Sequence, residues 1–323
     1  MNDQKSNSTK EIDFVTGPSF QQSVKKAIRK QTFKFISICS VCTLIILFVL
    51  YHGASFMLDK KIESASASML YARVNGANIY EDVNSVDYHG LLSATYISKF
   101  SKYMGDREIT WNVTEEKFTV FNRNKADAIT IRDRNFSEEL NRRVLYNKYN
   151  GERQVDFYYP QIEYDFLPQE LNIATELEED KLVEVALSFD KGYTTKEIEK
   201  LMGEENVTWF WVDTATEEKI DNFSNTRSPY VDGPSADGFQ VYSDDYTSSA
   251  KEFLRDIQQL KEEGTYQAAA KRMAEGINGE SIPHVLDVKL IGAIVTGTPE
   301  QLNEYKELGI VRASTIGATI DFY

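Results

Sequence analysis

The sequence predicts an α+β protein carried on a single transmembrane helix. Three observations lead there. Phe35–Leu58 runs 24 residues without a formal charge. Apolar and polar residues then alternate at strand spacing between about 79 and 178. Finally, a strand–short helix–strand order appears twice in the C-terminal part.

The uncharged run comes first. At about 1.5 Å per residue its helix reaches about 36 Å, enough to cross a hydrocarbon core of about 30 Å. Lys25, Lys26, Arg29, Lys30 and Lys34 precede it with no acid among them, whereas Asp59-Lys60-Lys61-Ile62-Glu63 follows. Cytoplasmic flanks retain the basic excess, so the expectation is a single-pass cell-membrane protein with its N-terminus inside and its C-terminal bulk outside. Ala65-Ser66-Ala67 offers the rival reading, a cleaved signal peptide. The apolar run is too long for a signal core of about 7–15 residues, and the stretch before the candidate site is too charged. The anchor is therefore expected to stay. The expected divisions are a basic tail (1–34), the span (35–58), a stalk with a strand-rich region (59–178) and a C-terminal domain (179–323).

Charge follows the same division. Residues 1–34 hold seven of the 36 Lys/Arg and three of the 50 Asp/Glu, leaving 29 bases against 47 acids beyond the span. A body that acidic lacks the clustered cations that nucleic acid requires. The short basic tail reads as a topology signal that attracts anionic headgroups. The two cysteines, Cys39 and Cys42, lie inside the span. One C-x-x-C pair without further ligands does not make a zinc site, so they read as small packing residues. An outer domain without disulfides is ordinary for an exported bacterial protein. In that setting the N-x-S/T strings at Asn112, Asn135, Asn206 and Asn222 carry no glycan.

In the tail, the first 18 residues are polar and expected to be disordered, with Ile12, Phe14 and Val15 as isolated apolar points. Ser19 and Gln22 fit a capping box. Phe20, Val24 and Ile28 then recur every four residues beside Lys25 and Lys26, forming a narrow apolar stripe on a basic helix. Two readings fit that stripe: an interfacial segment touching lipid, or a docking helix laid into a partner's groove.

Beyond the span, 59–75 reads as a helical or loose stalk. Strands are expected around Ile109–Val113, Phe118–Val120 and Gln154–Phe166, with Asn141–Asn150 a short helix or loop. The acidic run Glu176–Asp180 reads as a solvated boundary. Lys181–Phe189 reads as a buried strand. A helix capped by Thr194 and Glu197, faced by Ile198, Leu201 and Met202 and stopped at Gly203, leads to a strand over Asn206–Asp213. Thr214–Asp245 reads as a loop. A helix opened by Ser249 and Glu252 and faced by Phe253, Leu254, Ile257 and Leu260 comes next, then a second helical stretch over about Tyr266–Glu275. A strand over Val285–Thr296, a helix opened by Thr298-Pro299 and faced by Leu302, Tyr305 and Leu308, and a strand over Val311–Tyr323 complete the pattern. Two strand–helix–strand units at the ends of one domain predict a split βαβ, ferredoxin-like sandwich.

Several strings resemble a known family, the sigma factor regulator C-terminal domain of Gram-positive membrane anti-sigma factors. They are Ala186-Leu187-Ser188-Phe189-Asp190, Trp209-Phe210-Trp211-Val212-Asp213-Thr214, Val295-Thr296-Gly297-Thr298 and Arg312–Thr319. Phe20, Val24–Ala27, Arg29–Thr32 and the span are similar to that family's N-terminal module. The resemblance implies a transmembrane regulator of transcription. Its inner part would hold an extracytoplasmic-function sigma factor and its outer domain would sense envelope stress. On that reading Phe20, Val24, Ile28, Lys25 and Lys26 would contact the partner. The chain departs from the family in lacking a His-x-x-x-Cys-x-x-Cys motif, and its 34-residue inner segment is shorter than expected. An accessory protein that binds a second membrane protein without sequestering a sigma factor is the alternative.

Chemistry has little support in the sequence. The three histidines, His52, His89 and His284, stand far apart. There is no G-x-S-x-G elbow, and no phosphate-binding glycine motif. Ser188 reads as a small residue before a turn. The Asp244-Asp245 pair is one of many acidic pairs in such a domain, which leaves a membrane-anchored hydrolase as the weakest alternative. Trp209 and Trp211 share one strand face, as core packing in preference to an exposed binding surface. Arg312 reads as structural. Neither a cofactor nor a metal is expected.

Overall fold

The computed structural model describes residues 18–90, 92–126, 133–138, 140, 142–203, 205–226, 230–242, 245–262, 264–279 and 283–322. Ile12, Phe14, Val15, Asn141 and Asp244 lie outside these. The chain is α+β and forms two compact units, one reaching to Met57 and the other running Leu58–Tyr323.

The first element, helix α1, runs Pro18–Ala72. Ser19 thus lies within the helix, not at its cap. No loose stalk follows the apolar run: the final turns of α1 belong to the second unit. There Leu58 and Ala65 are buried with Ala94, Tyr96 and Phe118, and Ile62 packs beside them. The Ala65-Ser66-Ala67 string is therefore helical, with Ala65 in the core.

Four strands follow, β1 (Tyr80–Tyr88), β2 (Ser93–Met104), β3 (Arg107–Thr119) and β4 (Arg123–Ala126). They form an antiparallel meander in chain order. β5 (Asp133–Ser137) and β6 (Arg142–Tyr146) pair as a hairpin, so residues 142–146 of the region expected as helix or loop are strand, while 147–150 are loop and turn. Within the aromatic Gln154–Phe166 segment only β7 (Asp156–Tyr158) is strand. It pairs with the later β10 (Tyr230–Asp232). Next come α2 (Leu171–Ala174), β8 (Lys181–Tyr193), α3 (Thr195–Met202) and β9 (Val207–Val212). The expected loop over Thr214–Asp245 contains α4 (Glu217–Ser224), β10 and β11 (Gly238–Gln240). Then follow α5 (Tyr246–Glu262), α6 (Gln267–Asn278), β12 (Leu290–Gly297), α7 (Pro299–Leu302) and β13 (Val311–Asp321).

The second sheet is antiparallel throughout, in the order β11-β9-β12-β8-β13. β12 lies between β8 and β9, the two strands joined through α3. β8 lies between β12 and β13, the two joined through α7. Helices cover one face: Ile198 and Met202 from α3, Ala250, Phe253, Ile257 and Leu260 from α5, Met273 from α6 and Leu302 from α7 pack on Val185, Leu187, Phe210 and Val295. The other face is covered by the β7–β10 ribbon, where Phe157, Tyr159 and Val231 pack on Trp209, Trp211 and Ile294. The tryptophan pair is thus core.

Local chemistry accounts for the short helices. Thr194 N donates to Glu197 Oε2 at 2.8 Å and Glu197 N donates back to Thr194 Oγ1 at 3.4 Å, the reciprocal box that starts α3. Thr298 and Gln301 repeat it at α7, with Pro299 at its first position. α7 tightens into a 3₁₀ turn over Asn303–Glu307 that buries Tyr305. Asp245, not Ser249, opens α5, accepting from Thr247 N at 2.9 Å and Ser248 Oγ at 2.6 Å. Leu201 is exposed, unlike its expected companions. β8 continues past Phe189, so Ser188 sits buried in mid-strand and accepts from Tyr158 N at 3.0 Å.

Candidate functional site

Every residue from Phe20 to Gly53 is exposed on α1. A core helix of a soluble protein passes the same test of length and apolarity but is mostly buried, whereas no residue of this apolar stretch is buried. Leu44, Ile45, Ile46, Leu47, Phe48, Val49 and Leu50 all lie open on it. Seven successive bare apolar side chains suit a hydrocarbon surround. Thr43 Oγ1 donates to Cys39 O at 2.8 Å, a pairing that satisfies a hydroxyl without water. Cys39 and Cys42 are exposed thiols, so the packing expected of them has no partner among the described residues of the chain.

The stripe residues Phe20, Val24 and Ile28 are exposed, as are Lys25 and Lys26. Steps of four turn 400°, which keeps the three apolar side chains on one slowly drifting face. α1 therefore presents them together, flanked by ammonium groups.

The second unit holds an open cleft of about 780 Å³ lined by Tyr71, Asn75, Lys219, Phe223, Asp237 and Arg272, among others. Its floor is tied by hydrogen bonds. Thr214 Oγ1 donates to Asp237 Oδ2 at 2.7 Å and Asn75 Nδ2 donates to Asp237 Oδ1 at 3.0 Å. Tyr71 stacks on Tyr266 with centroids 4.2 Å apart, and burial pushes its hydroxyl up to about 12, so it stays a protonated donor. Gly276 lets α6 cross close to the 214 segment, since a Cβ there would meet Thr214 O at 1.9 Å. Glu218, Lys219 and Arg272 bring charges of both signs to the lining, beside Phe223 and Met273. Sequence reasoning did not single out this cleft. The one available signal was a glycine inside a helical pattern, a mark of close packing.

The candidate chemical groups stay apart. His89 Nε2 lies 2.8 Å from Thr95 Oγ1. His284 Nδ1 accepts from Leu286 N at 3.3 Å. His52 lies against the rings of Phe48 and Tyr51. Arg312 donates to the carbonyls of Tyr159, Pro160 and Ile162, a structural clamp.

Residues 175–318 match the family model described as sigma factor regulator C-terminal. The match supports a sigma-factor-regulator likeness over that stretch. Among curated proteins and among solved structures, nothing matches.

Proposed function

With residues 175–318 carrying the sigma factor regulator C-terminal family match, we propose that the chain is a single-pass membrane regulator of the anti-sigma-factor kind. Its inner helix face, Phe20, Val24 and Ile28 with Lys25 and Lys26, contacts an extracytoplasmic-function sigma factor in the cytoplasm. Its outer unit receives an envelope signal or a second membrane protein. The family match supports the regulatory role, and it is the observation that carries this reading. The bare apolar helix supports the anchor, and the basic residues before it support the orientation. The strand order of the second sheet supports a split βαβ, ferredoxin-like core extended at one edge by β11. No catalytic role is assigned.

The test is capture. Full-length protein solubilised from membranes should retain a sigma factor, and Phe20→Asp should lose it. A captured sigma factor that persists in Phe20→Asp, Val24→Asp and Ile28→Asp alike would remove the stripe from the interface. The open cleft favours a second reading, an accessory regulator that docks another membrane protein through its outer unit. That reading expects capture of a membrane partner and of no sigma factor.

A further inference from the structure

The residues that end the uncharged run are tied to the tips of the first sheet. Lys61 Nζ donates to Thr119 O at 2.7 Å and to Val120 O at 3.0 Å. Tyr88 OH donates to Asp59 Oδ1 at 3.3 Å. Leu58 is buried against the same sheet, in the cluster of Tyr96 and Phe118. Val120 N donates to Leu92 O at 3.0 Å, joining the β1–β2 and β3–β4 ends side by side. The β3–β4 turn is closed tightly. Thr119 N donates to Asn122 O at 2.8 Å, and Asn122 N donates to Thr119 Oγ1 at 2.8 Å. That turn buries Val120 and holds Phe121 90% exposed, while Leu92 is 56% and Tyr88 58% exposed.

We infer that Tyr88, Leu92 and Phe121 form a membrane-interface anchor, seated in the headgroup layer of the leaflet that α1 leaves at Leu58. This rests on the reading of Phe35–Leu58 as a membrane span. If Leu58 ends the hydrocarbon crossing, Asp59 and Lys61 lie at headgroup depth, and whatever they hold lies there too. Aromatic and leucine side chains on rigid turns are what that layer takes up, with a tyrosine hydroxyl facing the polar side. A phenyl ring held out by a hydrogen-bonded turn cannot fold back onto the core. The occupant is lipid, because the chain's own entry into the bilayer places it there. The consequence is that the tips of the first sheet meet the headgroup layer.

The experiment uses the full chain in vesicles of phosphatidylethanolamine and phosphatidylglycerol. A nitroxide is placed at Phe121→Cys in a Cys39→Ala/Cys42→Ala background, and its collisions with oxygen and with a water-soluble nickel chelate are compared. Tyr242→Cys, exposed elsewhere in the unit, is the aqueous reference, and native Cys42 in a Cys39→Ala chain is the span reference. The expected result is loss of nickel collisions at 121 with oxygen collisions retained, at a depth shallower than Cys42. If 121 matches Tyr242→Cys while Cys42 is deep, the anchor is wrong and the span stands. If Cys42 meets nickel freely, the span fails and the anchor with it. Shielding of 121 from both probes would mark a protein contact and overturn the lipid assignment.

Discussion

Lys102 Nζ lies 2.8 Å from both carboxylate oxygens of Glu184, and both side chains are buried. This pair joins β2 of the first sheet to β8 of the second. Glu184 also accepts from Asn78 Nδ2 at 3.0 Å and from Ala318 N at 3.1 Å. Lys102 lies 4.1 Å from the Trp111 ring centroid. Burial holds the Lys102 ammonium below its ordinary range, against the pull of Glu184. The region before residue 175 and the family-matched region thus share one interior.

Removing one partner leaves the other charged and unpaired. Lys102→Ala should destabilise the chain by about 3–5 kcal/mol. Lys102→Met combined with Glu184→Leu should cost less than the sum of the single changes. The Asn78 and Ala318 donors keep it from being neutral. Denaturant unfolding of the full chain in detergent checks this, and additive losses would refute the coupling.

Asp156 carries a pH dependence. Its Oδ2 accepts from Arg142 Nη1 at 2.6 Å, but Oδ1 is buried without a partner. Burial pushes this carboxyl up to about 7, against the pull of Arg142. A raised folded-state value means stability that is full below the unfolded value, about 3.9, and is lost as pH climbs to about 7. Relative to Asp156→Asn, the parent chain should therefore be more stable near pH 4 than near pH 8. Thermal unfolding of the pair across that window is the measurement. An offset that is constant with pH, or that runs the other way, would count against it.

Gly276→Ala sets two effects against each other. Alanine favours a helix interior over glycine by about 1 kcal/mol. The new methyl, however, lands 1.9 Å from Thr214 O, a backbone atom that cannot swing aside. Overpacking of this kind costs about 1–3 kcal/mol. Net destabilisation is expected, together with faster amide exchange along α6. A rise in midpoint would show that the cleft wall yields.

The exposed stripe separates binding from folding. Phe20→Asp, Val24→Asp and Ile28→Asp should each abolish sigma-factor capture while shifting stability by no more than about 0.5 kcal/mol, as surface changes do. A matching loss of fold would assign these residues a structural role.

The elements that periodicity and capping mark were legible in the sequence. α3 and α7 begin at Thr194 and Thr298, where the reciprocal boxes lie, because those bonds form between residues three apart. The start of α5 was misplaced: Asp245 caps through neighbours two and three along, a pattern that Ser249 and Glu252 also offered. Strand β6 was obscured because Arg142-Arg143-Val144-Leu145-Tyr146 lacks polar–apolar alternation, although its partner β5 is the strand directly before it. Leu201 and Ser188 were misjudged because exposure depends on which face a neighbour covers. The stripe on α1 was legible from its spacing. The cleft was not, because Asn75, Thr214, Asp237 and Arg272 meet only across long separations.

By itself the sequence determined the apolar run, the basic flank before it, the acidic balance beyond it and the caps of its short helices. All of these are sums or patterns over residues close in the chain. The tertiary structure alone decided that the helical end of α1 packs on the first sheet, that Lys102 finds Glu184, and that Lys61 holds the turn behind Phe121. Each of those joins residues tens of positions apart, and their meeting depends on the order of the strands between them.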